Sequence, residues 1–340
     1  MVESFIFQDG KLAAAGEKAS VFVFTAPTEE ERGRLQEEFG LARHEIASAL
    51  DPDELGRVGI DGARASVILK RPRNYSASDN LLFLVASIGV FLTPKRVVVV
   101  ASDPVDLGDE RIVHGVQDPA DLLLRLIYDT IAHFLAHLRI IHSLSEALEK
   151  RVNSSMNNRY LLDLFTLQKS LVYFVDGIGT NMDVIARLHA DAAHGASGTA
   201  HGASGTARWK LGGAQRELLE EILIENRQCA RQAEIYSSIL RGLVEARGAV
   251  TSNSVNVHLK RLTVICVVFL PMTVLACMGG MSEFSRWTGG IPWWLSYPAF
   301  LVGLVPVGLL TYMILRSRGM DREERRLRKA ARRNGENRGA

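Results

Sequence analysis

LTVICVVFLPMTVLACMGGMS at 262–282, EFSR at 283–286 and WTGGIPWWLSYPAFLVGLVPVGLLTYMIL at 287–315 are two charge-free apolar runs divided by a short polar turn. A helix needs about 20 apolar residues to cross a bilayer, and each run is long enough. The first run closes on Gly279-Gly280-Met281-Ser282-Glu283. So short a reverse turn, with a small hydroxyl and a carboxylate at the membrane edge, suits the mouth of an ion path better than a passive anchor.

Working outward, charge sets the orientation. Lys260-Arg261 precedes the first run, and the tail at 316–340 carries ten basic residues against four acidic in a chain whose net charge is only +2. Lys and Arg beside a span favour the cytoplasmic side, which places both chain termini in the cytoplasm of a cell with a bacterial-type inner membrane. Only the turn faces out. Trp287, Trp293, Trp294 and Tyr297 form an outer aromatic belt, and Tyr312 with Arg316 marks the inner edge. The tail reads as a stop-transfer anchor or lipid contact. Nucleic acid is not an expected partner, since that would need a folded basic surface with base-reading groups.

Hydrophobic residues make up 47% of 340. The mean hydropathy is slightly positive, as two spans plus a water-soluble part of about 260 residues would give. The first ten residues carry Glu3 and Asp9 and no apolar export core, so the N-terminal region is expected to stay in the cytoplasm. The three cysteines, Cys229, Cys266 and Cys277, are odd in number and show no paired metal spacing. They fit a reducing compartment rather than a disulfide framework.

The soluble part begins as α/β over 1–117. Strand-like runs occur at 4–7, 21–25, 64–70, 81–86, 88–92 and 97–101, and a charged helix at 29–38 follows Pro27-Thr28. A mixed sheet covered by helices would bury these runs on both faces. From 118 to 211 the pattern is helical, with Leu122, Leu123, Ile127, Ile131, Phe134, Leu138 and Ile141 at three-and-four spacing. A direct repeat of Ala-His-Gly-Ala-Ser-Gly-Thr interrupts it at 193–207, read as a flexible loop without the lysine of a phosphate loop.

No proline breaks the chain from 212 to 270. About 58 residues before Pro271 make a rod of roughly 85 Å, too long for a globular helix and suited to a stalk that enters the membrane without interruption. The stalk is assigned to 212–261, the first span to 262–282, the outer loop to 283–292, the second span to 293–315 and the basic tail to 316–340.

At 100° per residue, Leu259, Thr263, Cys266, Leu270, Thr273, Cys277 and Met281 fall on one stripe about 80° wide. It mixes bulky apolar groups with small polar ones, whereas Val264, Val268 and Phe269 read as lipid-facing. Such a stripe can serve helix packing or line a water path. One helix cannot enclose a path, so the second alternative requires several copies around an axis. Thr263 and Thr273 would then offer hydroxyls, Leu259, Leu262 and Leu270 a dewetting constriction, and Ser282 and Glu283 rings at the mouth.

Several motifs together resemble the CorA family of divalent-cation channels. Asn256-Val257-His258-Leu259-Lys260-Arg261-Leu262-Thr263-Val264-Ile265, Phe269-Leu270-Pro271-Met272-Thr273-Val274-Leu275-Ala276 and Gly280-Met281 are similar to that family's pore helix. Ala49-Leu50-Asp51-Pro52-Asp53-Glu54, Ile68-Leu69-Lys70-Arg71-Pro72 and the run at 88–100 are similar to its N-terminal domain. The resemblance implies a funnel-shaped homopentamer in the membrane lipid, with cytosolic α/β domains, long stalks and a five-helix pore. It assigns Asn256 to a lower polar ring, Leu259 and Leu262 to the gate, Leu270 and Thr273 to mid-pore, and Gly280 and Met281 to the signature. Thr263, Cys266 and Cys277 are pore candidates from their place on the stripe. Ser282 stands where the family has asparagine. Gly289-Gly290-Ile291-Pro292 resembles the zinc-transporting ZntB branch, and the altered signature resembles CmaX-like members. The implied cargo is Mg²⁺, Zn²⁺ or Co²⁺, with no resident cofactor. Asp163, Asp176 and Asp183 give the helical region few carboxylates for sensing magnesium.

His133 and His137 lie one turn apart and form a weak candidate metal pair. Cys266 and Cys277 are about 16 Å apart along the helix, too far to share an ion within one chain. No nucleophile elbow or His-Glu-x-x-His points to an enzyme. The alternative to conduction is a membrane scaffold or metal sensor that keeps the same architecture.

Overall fold

The computed structural model describes the whole chain except residues 1, 9, 16–18, 62–63, 76–79, 94–95, 108–111, 113–114, 155–157, 197–210, 280–285, 287–288, 293, 296–297 and 316–340. It divides into two units, Met1–Glu245 and Ala246–Ala340.

In the first unit a seven-stranded mixed sheet runs in the order β2-β1-β3-β7-β6-β5-β4. The strands are β1 (Val2–Gln8), β2 (Lys11–Ala14), β3 (Val21–Thr25), β4 (Arg57–Asp61), β5 (Arg64–Pro72), β6 (Val85–Leu92) and β7 (Val97–Ala101). Only β3 and β7 pair in parallel, in the register Val21↔Val97 to Thr25↔Ala101. The other five pairs are antiparallel. Gly10, with φ +72, turns β1 back onto β2, a backbone state that glycine adopts without a side-chain penalty.

The consecutive valines of β7 are buried throughout, because both faces of the sheet are covered. Val97 and Val99 join a core with the long helices, while Val98 and Val100 join a second core under α1 (Glu29–Glu37) and α2 (Arg43–Leu50). Thr28 caps α1: its hydroxyl accepts the Glu31 N–H at 3.3 Å, and the Glu31 carboxylate accepts the Thr28 N–H at 2.9 Å. The expected strand at 81–86 is confined to its last two residues. Asn80 and Leu81 adopt φ +47 and +67, which turns the chain, and Phe83 then stacks on Tyr75 while its N–H donates to Ser170 Oγ at 2.9 Å.

Two helices cover the larger core, α3 (Pro119–Ser154) and α4 (Asn158–Ala196). Helix α4 runs into the start of the sequence repeat, and the rest of that repeat lies outside the described residues. Asn181 of α4 binds both backbone groups of one β5 residue: Lys70 N–H donates to its Oδ1 at 2.8 Å, and its Nδ2 donates to Lys70 O at 2.7 Å. Arg71 pairs with Asp129 of α3 at 3.1 Å. Lys70 is 3% exposed, and its Nζ donates to Pro52 O at 2.6 Å and Ser87 Oγ at 3.1 Å. Burial pulls the pKa of this ammonium below the usual lysine value, although nearby Asp176, Asp53, Asp51 and Glu54 act the other way.

Helix α5 (Gly213–Gly279) is continuous and holds Pro271. Within the first unit its residues Leu219, Ile222, Asn226, Cys229, Ala233, Ser237, Leu240 and Val244 are buried at three-and-four spacing, the signature of one helical face against a core. In the second unit α6 (Pro298–Leu315) follows.

Candidate ion-conduction surface

Among the described residues two helical segments are long and apolar enough to cross a membrane, Val255–Met278 of α5 and Pro298–Leu315. Their mean hydropathies are 2.1 and 2.0. Pro271 lies inside the first and has no N–H to offer the Val267 carbonyl one turn back.

Which side of α5 meets α6 is decided by a second helical pattern. Val264, Val268, Pro271, Met272 and Leu275 are half-buried and recur with helical spacing. Met272 lies against α6 so closely that a Cβ added at Gly308 would sit 2.9 Å from its Sδ. Val264 and Val268, expected to face lipid, therefore lie on the covered side. They share a helical face with Met272, which packs on Gly308 of α6.

The mixed stripe lies on the other side of α5. At 100° per residue, the centre of the covered face is about half a turn away from the line through Leu259, Thr263, Cys266, Leu270, Thr273 and Cys277. All six stripe residues are exposed, as are Asn256 and Leu262; Leu259 is 54% exposed, Leu262 57% and Leu270 65%. Helix α6 thus consumes one apolar face of α5 and leaves the weakly polar one open. Gly280, Met281, Ser282 and Glu283 lie outside the described residues.

The histidine pair is brought together in the first unit. The rings of His133 and His137 are 4.5 Å apart, and His137 Nδ1 lies 3.1 Å from His133 O. His133 Nδ1 is buried with no hydrogen-bond partner among the described residues. Burial first, then His137 and Arg71, push the His133 pKa down to about 4, and burial lowers that of His137. Among the described residues no group of three or more His, Cys, Asp or Glu side chains is placed to hold a metal. The pair alone supplies half the ligands of a closed tetrahedral site. Cys229 is buried in the core, and burial, with Glu225 adding to it, pushes its pKa up to about 12.

A family model, described as "CorA-like Mg2+ transporter protein", matches residues 18–316. The chain belongs to the CorA family. That family consists of transporters of divalent cations rather than enzymes. Solved structures agree in fold. The complete CorA magnesium transporter of Methanocaldococcus jannaschii superposes with a TM-score of 0.67 at 16% identity, over 92% of this chain and 95% of that one. Full-length CmaX gives 0.64 at 17% identity, over 93% and 96%. The ZntB cytoplasmic domain of Vibrio parahaemolyticus gives 0.54 at 14% identity, over 73% and 97%. A comparison with curated protein sequences returns no match. For this CorA-family chain, the α/β unit, the long helices and the two candidate spans are thus the architecture of full-length relatives.

Proposed function

We propose that this CorA-family protein conducts divalent cations, Mg²⁺, Zn²⁺ or Co²⁺, through a homopentameric pore lined by the open stripe of α5. The observation that carries the reading is the division of labour on α5: its apolar face lies toward α6, and its weakly polar face is exposed among the described residues. Surrounding an axis with copies of that stripe would satisfy its threonines with water and leave the apolar remainder of the hairpin to lipid.

In this arrangement Asn256 forms a polar ring at the inner side. Leu259 and Leu262 close the path by dewetting, and Leu270 narrows it midway. Gly280, Met281 and Ser282 form the entrance signature, and a Glu283 ring concentrates cations ahead of it. Serine replaces the longer-reaching amide of the family signature, so a hydrated ion is held less closely. Both termini lie in the cytoplasm and only the turn is outside.

The test is uptake of Mg²⁺, Zn²⁺ and Co²⁺ into liposomes holding the purified chain. The series of rates identifies the cargo, and a correctly assembled pentamer that moves none of the three would instead be a scaffold or sensor. Glu283→Gln should raise the concentration for half-maximal uptake with assembly intact, and an unchanged concentration dependence removes Glu283 from the entrance.

A further inference from the structure

At one end of the sheet, within the first unit, a cavity of about 430 Å³ opens between the loop after α2, the ends of β5, β6 and β7, and α4. That is room for a small molecule. Leu50, Leu84 and Val85 give it an apolar wall, and five charged side chains share the lining with them.

Those charged groups are only partly used by the fold. Lys70, 3% exposed, spends two ammonium protons on Pro52 O and Ser87 Oγ and keeps one of its three donors. Arg73 gives its Nε–H to Asp103 Oδ2 at 3.1 Å, and among the described residues its other guanidinium N–H groups make no hydrogen bond. Asp53 and Asp176 are exposed in the cavity, close enough to act on the Lys70 charge, and neither carboxylate forms an ion pair among the described residues. Arg73 follows Lys70 by three residues, roughly 10 Å of extended chain. One end of the cavity is therefore governed by carboxylates, and the other presents a guanidinium fork.

Of the five charged groups, Lys70 and Arg73 are positive and Asp53, Asp103 and Asp176 negative. A lone anion would meet three carboxylates, and a lone cation would meet an ammonium and a guanidinium. The carboxylates do not converge on a point either, since among the described residues no three Asp, Glu, His or Cys side chains are placed to hold a metal ion. A molecule that carries both charges, held apart, satisfies both ends.

We propose that this cavity binds a zwitterion whose ammonium and carboxylate are separated by a short aliphatic chain, an ω-amino acid. Asp53 and Asp176 accept from its ammonium, the Arg73 fork donates to its carboxylate, and the apolar wall lies against its methylenes. Every residue of the site belongs to the first unit, so the proposal is independent of the pore reading.

The test is isothermal titration of the full chain in detergent with 4-aminobutyrate, 5-aminopentanoate and 6-aminohexanoate. Pentylamine and pentanoate serve as probes that each carry one of the two charges. Wild type should bind at least one member of the series, and each single-charge probe should bind at least about tenfold more weakly, the worth of one charge-assisted hydrogen bond. Asp176→Asn and Arg73→Gln should each weaken that zwitterion by about tenfold. Asp176→Asn should leave pentanoate binding as in wild type, and Arg73→Gln should leave pentylamine binding so, a split that general loosening of the fold would not produce. Glu217→Gln, on an exposed face of α5, should change nothing. Should Arg73→Gln unfold, Arg73→Lys, which keeps a charge for Asp103 and loses the fork, is read in its place. A wild-type chain that binds none of the series, single-charge probes that bind as tightly as the zwitterion, or variants that keep full affinity each overturn the proposal. Cation uptake enters none of these readouts, so either reading can fall while the other stands.

Discussion

At Gly89 the backbone of β6 passes so near α2 that an added Cβ would lie 2.5 Å from the Cβ of Ala49 and 2.9 Å from Phe91 Cε2. The Ala49 Cβ is fixed to its backbone and the Phe91 ring is buried, so Gly89→Ala should cost about 1–3 kcal/mol and lower the melting temperature of the full chain in detergent. An unchanged melting temperature would mean that α2 moves freely on the sheet. His133 gives a dependence on pH. Its folded pKa of about 4 lies below the unfolded value of 6.5, so its neutral form is the one the fold prefers. Stability is therefore complete above pH 6.5 and is lost progressively as pH falls through 4. Replacing it, as in His133→Gln, should flatten that part of the melting-temperature profile between pH 7 and 4. A profile as steep as wild type would assign the acid sensitivity to other groups.

The elements legible in the sequence are those with a single dominant period. The strands at 21–25 and 97–101 are dense in β-branched residues and stand as read, and Thr28 with Glu31 announces the start of α1. Elements held by their neighbours were not legible. Strand β4 has a glycine and charged ends and owes its state to pairing with β5, and α2 begins at Ala42, which has no capping side chain of its own. For the candidate site, the stripe on α5 follows from helical geometry alone. The face taken by α6 does not, because it depends on contacts such as Met272 on Gly308, which no local pattern encodes. That contact can be tested as a pair. Gly308→Val should loosen the hairpin and lower its thermal stability, and adding Met272→Ala should recover part of the loss because the space reappears. Equal losses in the single and double variants would separate the two positions.

Scaled up to an assembly, the open face of α5 makes a prediction that the single chain cannot fulfil. Cys266 and Cys277 lie within the candidate span and are exposed, whereas Cys229 is buried in the soluble core. A thiol reacts as its thiolate, which forms in water and not in hydrocarbon, and the Cys229 thiol, with its pKa near 12, is silent at neutral pH. If copies of α5 ring a water path, a positively charged methanethiosulfonate reagent should reach Cys266 or Cys277 and reduce divalent-cation entry into liposomes by adding bulk and charge to each copy. Cys266→Ser with Cys277→Ser should abolish that sensitivity, and Cys229→Ser should leave it intact. If the stripe instead faces acyl chains, the same reagent finds no thiolate, and neither labelling nor inhibition follows. The experiment reads the direction of the stripe from chemistry the chain already carries. It does so independently of which ion is the natural cargo, because any of the three divalent cations can report the block.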